Sequence, residues 1–337
     1  MGIPFLPQIP IRNPWEFMIA QALEDIPGLQ AEKDATATLD LNIWASRAKT
    51  FGTRLNEAFK KNENDLPTFA HAFEGFEPSA AVSSSWQAFI WELSEQNISV
   101  AKIQIAGPIT AQWSLRLLQG GPIKKEIDLD LTSQIYRFIL ARSLAMIRRL
   151  QQNGIQPILY IDEPALYGLS IESPRHILAL QELKFLIHSL KKAGAQVGLH
   201  CCSNANWEAL IGPEKLELNT LSIDTELSLK SLLSAPNQVL ETFIRSGGNL
   251  SLGIIPTARP SALHSLRVED IFKQLLDTFH HAWGNQPELI KKVLKEAIYT
   301  PACGLALHSI SDAELILEIL NEYYNYSTSV LTKRNPA

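Results

Sequence analysis

The chain has 337 residues, 46% of them apolar, with a net charge of −5 and a pI near 5.9. It has no basic cluster to suit nucleic acid, no run of 18 apolar residues to span a membrane, and only three cysteines, too few and too badly placed for a disulfide framework. Its N-terminus is broken by prolines and lacks a signal-peptide pattern, so the expected location is the cytoplasm.

In chain order, residues 3–8 form a short first strand ending at Pro7-Gln8. Residues 13–24 read as a helix with an Asn cap and Pro14 at its first position. A second helix covers 39–62, with Lys60-Lys61 near its end. Residues 67–73 give the second strand, with His71 near its exit, and 81–96 a helix capped by one of Ser83 to Ser85. The third strand, 100–106, runs into Gly107-Pro108-Ile109-Thr110 and a helical pattern through Trp113, Leu115 and Leu117. A long helix over 129–152 stops at Asn153-Gly154. The fourth strand, 157–161, ends in Asp162-Glu163-Pro164, and the helix over 175–193 stops at Gly194. The fifth strand lies in the stretch 195–203 and leaves through His200-Cys201-Cys202. A short helix near 207–211, the sixth strand over 220–224 and helical segments over 227–246 follow. The seventh strand is 250–255, and helical segments over 268–295 break near Gly284. The eighth strand, 296–300, ends in Pro301-Ala302-Cys303-Gly304, and a last helix over 311–325 gives way to a frayed tail from about Ser327.

Apolar strands alternating with helices, each strand leaving at a polar or proline-containing turn, are the pattern of parallel βα units. Eight of them predict an α/β fold: a single (β/α)8 TIM barrel, one domain over residues 1–337, with an N-terminal helical insertion between strands one and two. An open doubly wound sheet is the alternative, but no glycine-rich phosphate loop follows the first strand.

Active sites of such barrels lie at the C-terminal ends of the strands, where this chain places its unusual polar residues: Gln8, His71, Asp162, Glu163, His200, Cys202, Asp224, Glu226 and Cys303. Strand alternation turns His200 and Cys202 to one side and Cys201, a core residue, to the other. An imidazole and a thiol side by side suit a borderline-soft ion such as zinc, and Cys303 is the expected third ligand. Asp224 and Glu226 share a face if the sixth strand continues that far, and either would serve as a fourth. The acids Asp162 and Glu163 suit a substrate ammonium or acid–base work, the alternative for Glu163 being a cap or a pairing with an arginine. His71, Arg259 and Trp113 are weaker candidates. Zinc held by two thiolates and one histidine generates hydroxide poorly but binds a substrate thiol well, which points to alkyl transfer to sulfur.

Four stretches carry a resemblance: Gly107-Pro-Ile-Thr110, Ile161-Asp-Glu-Pro-Ala-Leu166, His200-Cys-Cys202 and Pro301-Ala-Cys-Gly-Leu305. Together they resemble the C-terminal catalytic barrel of cobalamin-independent methionine synthase and its short "core" relatives, within the superfamily shared with uroporphyrinogen decarboxylase. The resemblance implies a methyltransferase moving a methyl group to a zinc-bound thiol, homocysteine first, to give methionine. It implies His200, Cys202 and Cys303 as zinc ligands and Asp162 as the contact to the homocysteine amino group. The family's glutamate ligand falls on Asp224, a shorter acid, with Glu226 as its rival. Near the substrate carboxylate, Pro4 to Gln8 lacks the serine of resembling sequences. The full-length family has a further N-terminal barrel for its folate. The short relatives imply a methyl-corrinoid donor instead, methylcobalamin or a corrinoid protein partner, ahead of methyltetrahydrofolate.

Related readings are a methyltransferase acting on coenzyme M, and a metal-free decarboxylase of uroporphyrinogen type, which should carry an arginine-rich N-terminus. A reading of another class is a non-catalytic zinc- or corrinoid-binding barrel. Metal without turnover would mark it.

Overall fold

The computed structural model describes residues 2–33, 36–60, 73–118, 125–213, 215–258 and 260–332. The chain divides into two compact units, Met1–Ala165 with Glu172–Gly198, and Leu166–Ile171 with Leu199–Ala337.

In the first unit the predicted strand over 3–8 shrinks to one parallel bridge, Phe5 against Lys102. Leu6 N–H donates to the Lys102 carbonyl at 2.9 Å and Lys102 N–H to the Pro4 carbonyl at 2.8 Å. Prolines at 4, 7 and 10 remove every third backbone donor, so a longer ladder does not propagate. The predicted helix over 13–24 is divided as well. Asn13 caps a 3-10 turn at Pro14–Glu16, Phe17 is extended, and α1 spans only Met18–Leu23. No element is predicted over 29–38, and Leu39 is predicted helical, yet β1 (Leu29–Ala31) and β2 (Ala37–Leu39) pair antiparallel. Strands that short show no alternation to read. Asp40 then opens α2 (Leu41–Lys60), accepting from the N–H groups of Asn42 and Ile43. Residues 67–72 of the predicted second strand, His71 among them, lie outside the described residues.

Regular βα alternation follows. α3 (Ser84–Glu95) leads into β3 (Val100–Ala106), and α4 (Pro108–Leu118) and α5 (Lys125–Gln152) into β4 (Gln156–Asp162). α6 (Pro174–Lys192) leads into β5 (Gln196–Cys201). Residues 157–161 of β4 are buried on both faces, as expected for an inner parallel strand. Gly154, at φ +71°, ends α5 in the left-handed conformation that glycine adopts without strain. β3 and β4 pair in parallel, with Lys102 opposite Ile158, Gln104 opposite Tyr160 and Ala106 opposite Asp162.

The first unit's core holds a chain of rings, Trp44, Phe51, Phe138 and Phe76, with successive centroids 5.5–6.1 Å apart. Arg142 is buried beside it, 4.8 Å over the Phe138 ring. Its guanidinium donates to the carbonyls of Phe76 and Gln21 and lies 3.4 Å from Glu24.

The second unit completes β5 and adds β6 (Thr220–Asp224), β7 (Asn249–Ile255) and β8 (Ile298–Pro301). The parallel sheet thus runs in chain order from β3 to β8. Its helices are α7 (Trp207–Ile211), α8 (Thr225–Leu233), α9 (Val239–Arg245), α10 (Val268–Trp283), α11 (Pro287–Glu296) and α12 (Ile310–Thr332). The predicted segment over 227–246 divides at Pro236–Gln238, where Asn237 and Gln238 take positive φ. The tail expected to fray from Ser327 is helical to Thr332. Ser327 is buried, its hydroxyl donating to the Tyr324 carbonyl at 3.1 Å, so packing holds the end of α12.

The fold is α/β and TIM-barrel-like, with six of the eight predicted strands in the sheet among the described residues. No helix among them is long and apolar enough to cross a membrane.

Candidate metal centre

The second unit assembles three of the predicted ligands. β5 is apolar up to Leu199 and then changes character. Cys201 turns into the core and is fully buried, while His200 and Cys202 remain partly exposed. From β6 alongside, the Ser222 hydroxyl meets His200 Nδ1 at 3.0 Å. Cys303 arrives from the turn after β8, and Gly253 on β7 makes that approach possible. A Cβ on Gly253 would stand 2.6 Å from Ala302 Cα and 2.9 Å from the Ile223 carbonyl, distances that side chains do not tolerate. Ala302 N–H donates to the Ile255 carbonyl at 2.9 Å and fixes the turn. One ligand atom each from His200, Cys202 and Cys303 lies within 4.8 Å of the others.

The three groups also perturb one another. Hydrogen bonds from the Cys303 thiol and then from His200 pull the Cys202 thiol down to about 4. Cys303 is pushed up, because it donates to Cys202, is partly buried, and faces the charges of Cys202 and Asp224. The pair therefore favours a single shared proton, with the negative charge drawn toward Cys202 by the Cys303 thiol and His200. Two sulfurs and an imidazole form a donor set that fits zinc.

Asp224 and Glu226 are not in this group. β6 ends at Asp224 and α8 starts at Thr225, so strand alternation stops short of Glu226, which is exposed. Asp224 caps α8, its Oδ1 accepting from Glu226 N–H at 2.8 Å and Leu227 N–H at 3.1 Å. Burial pushes its carboxyl up, while those two donors pull it down.

In the first unit the adjacent acids Asp162 and Glu163 part company. Glu163 is fully buried at the N-terminus of α4. Its carboxylate accepts from Ile109 N–H at 3.0 Å, Thr110 N–H at 2.7 Å and the Thr110 hydroxyl at 2.6 Å. Gly107 leaves room for it, since a Cβ there would stand 2.1 Å from Glu163 Oε1. Asp162 ends β4 on the side that also carries Tyr160, and its charge acts on Lys102 of β3. Gln8 donates to Gln21 Oε1 at 2.9 Å, and Gln21 in turn to the Ser83 hydroxyl at 3.2 Å. The Trp113 ring lies 5.2 Å from that of His176. His71 and Arg259 fall outside the described residues.

Two residues went unnoticed in the sequence, Ser222 and Lys102. Both had a signal: they belong to the polar set of a strand whose polar and apolar side chains alternate.

Over residues 86–322 the chain matches the family described as cobalamin-independent synthase, catalytic domain. No curated protein matches it. Among solved structures it is similar to a methyltransferase from Methanosarcina mazei, at 17% identity and a TM-score of 0.44, covering 72% of this chain. It spans only 64% of that Methanosarcina chain. It is also similar to a Streptomyces avermitilis protein described as an orotidine 5'-phosphate decarboxylase, at 11% identity and a TM-score of 0.31, covering 73% of this chain and 95% of that one.

Proposed function

The chain belongs to the family of the cobalamin-independent synthase catalytic domain, and on that premise we propose that it transfers a methyl group to the sulfur of a thiol acceptor, at a zinc site formed by His200, Cys202 and Cys303. The observation that carries this reading is the convergence of those three ligand atoms within 4.8 Å. Zinc in such a site would lower the pKa of an acceptor thiol while leaving its sulfur nucleophilic.

The chain's own residues divide the work. Cys202 Sγ offers a thiolate at neutral pH, and Cys303 Sγ gives up the proton they share when the ion is taken up. Ser222 engages His200 through Nδ1, which orients the ring and leaves Nε2 as the ligand atom. Asp224 is the proposed fourth ligand, with Glu226 as its rival. The charges of Asp224 and Cys202 act on one another, whereas Glu226 is exposed. A fourth position left to substrate is equally consistent with catalytic zinc. The proposed acceptor is homocysteine, with Asp162 at its amino group. The proposed donor is methylcobalamin or another methyl-corrinoid, with methyltetrahydrofolate as the alternative.

The test joins metal content to turnover. Protein prepared with zinc should hold about one ion per chain. It should demethylate methylcobalamin only when homocysteine is present, and Cys202→Ser should lose both properties. Zinc without turnover on either donor would turn the reading toward a binding module, and protein that takes up no zinc would remove its basis.

A further inference from the structure

The side of β3 and β4 that carries Asp162 also carries a lysine. Lys102 and Gln104 alternate along β3, and the register sets Tyr160 and Asp162 on the same side of β4. Lys102 is the costly member. An ammonium drawn from water needs partners, and burial lowers its pKa. The fold supplies some of them. Lys102 Nζ donates to Gln104 Oε1 at 3.1 Å and lies 4.6 Å from the centre of the Tyr160 ring. Gln104 is itself fixed, its Nε2 donating to the Leu6 carbonyl at 2.6 Å, which turns its oxygen to the ammonium. An ammonium has three N–H donors, and a π face attracts its charge without accepting them all. The Lys102 backbone is level with Ile158, yet its ammonium lies over Tyr160. The side chain therefore leans along the strand toward Asp162.

We infer that Lys102 and Asp162 form a dipolar subsite for the head group of an α-amino acid, Lys102 taking the carboxylate and Asp162 the ammonium. The subsite deepens the reading of an amino-acid thiol acceptor and rests on it. Its spacing fits. Tyr160, whose ring the ammonium faces, and Asp162 are two residues apart on one side of β4, about 7 Å of strand rise. An α-carboxylate and α-ammonium with a hydrogen bond at each end span roughly the same distance. Asp162 alone would accept any primary amine. The added cation selects against amines without a carboxylate and against acids without an amine.

Calorimetry of the full chain with three probes separates the contributions: L-methionine, 3-(methylthio)propylamine, which lacks the carboxylate, and 4-(methylthio)butanoate, which lacks the amine. Lys102→Met should weaken L-methionine and the butanoate by about tenfold or more and leave the amine unchanged. Asp162→Asn should weaken L-methionine and the amine and spare the butanoate. Lys102→Arg, which keeps the charge, should keep the preference for a carboxylate. Lys102→Met takes a partner from both Asp162 and Gln104 and should melt somewhat lower than the wild type, so its melt is recorded to show that it is folded, and Lys102→Arg separates loss of charge from loss of stability. Equal losses for all three probes, or none, would overturn the subsite. Failure of the wild type to bind L-methionine would also overturn it, while leaving zinc binding and methyl transfer to be judged by their own assays. Selective binding changes without methyl transfer would uphold the subsite and count against the activity.

Discussion

At Glu163 three donors favour the charge, yet burial outweighs them and raises the carboxyl from 4.5 to about 7. The Thr110 hydroxyl, at 2.6 Å, is the partner able to reverse its role when the proton is present. Between these two values the folded chain holds a proton that the unfolded chain has lost. The stability tied to that proton is complete below pH 4.5 and is lost as the pH rises through 7, on the order of 3 kcal/mol in all. Unfolding by denaturant at pH 5, 6, 7 and 8 should show this slope in the wild type and a flatter one in Glu163→Gln. Equal slopes would mean that another group titrates. The same scale shows what the sequence could and could not reveal. His200, Cys202 and Cys303 were legible because strand alternation and strand ends are local properties. The sequence leaves Glu163 open between a substrate acid and a helix cap, because the partners that decide it lie 53 and 54 residues away. Whether Asp224 and Glu226 share a strand face turned on how far the sixth strand runs, and the strand ends at Asp224, where the chain turns helical.

Among the elements, α3 and α4 share a device. Neither is capped by a side chain of its own: Ser83, at the cap position of α3, makes no side-chain cap bond. Instead Glu16 accepts from Ser85 N–H at 3.0 Å and the Ser84 hydroxyl at 3.3 Å, and Glu163 serves α4. Carboxylates there satisfy otherwise orphaned donors and meet the positive end of the helix dipole. Ser83 thus stands at the cap position predicted for α3, while Glu16 rather than the serine side chain meets the helix donors. Gly107→Ala tests the arrangement at α4, because the new methyl group would fall on the Glu163 carboxyl. We expect a loss of about 3 kcal/mol or more, read from denaturant unfolding. A loss under about 1 kcal/mol would show that α4 can shift away from its cap. Arg142 and Glu24 invite a second test. Glu24→Gln should destabilise by about 3 kcal/mol, since it leaves a buried guanidinium short of an anion, and a variant as stable as the wild type would refute this.

For the molecule as a whole, the parallel strands from residue 100 onward were readable because long apolar runs at strand spacing declare themselves. The N-terminal third was less so, with its proline-interrupted first segment and three-residue strands. Metal should be felt unevenly along the chain. With zinc at the proposed site, its removal by a chelator should raise amide exchange at 199–203 and 301–304 first, because the proposed ligands His200, Cys202 and Cys303 lie there. Unchanged exchange in both stretches would count against metal binding. The cap that Glu163 gives α4 bears, finally, on how the chain acquires its shape. α4 cannot finish its first turn from its own residues, so it must await a strand made some fifty residues later. A nascent chain ending near residue 125 would carry a frayed α4, and one that includes residue 165 would not. Pairing of β3 with β4 is then the step on which assembly of the first unit turns, and substitutions in that pairing should slow folding more than they hasten unfolding.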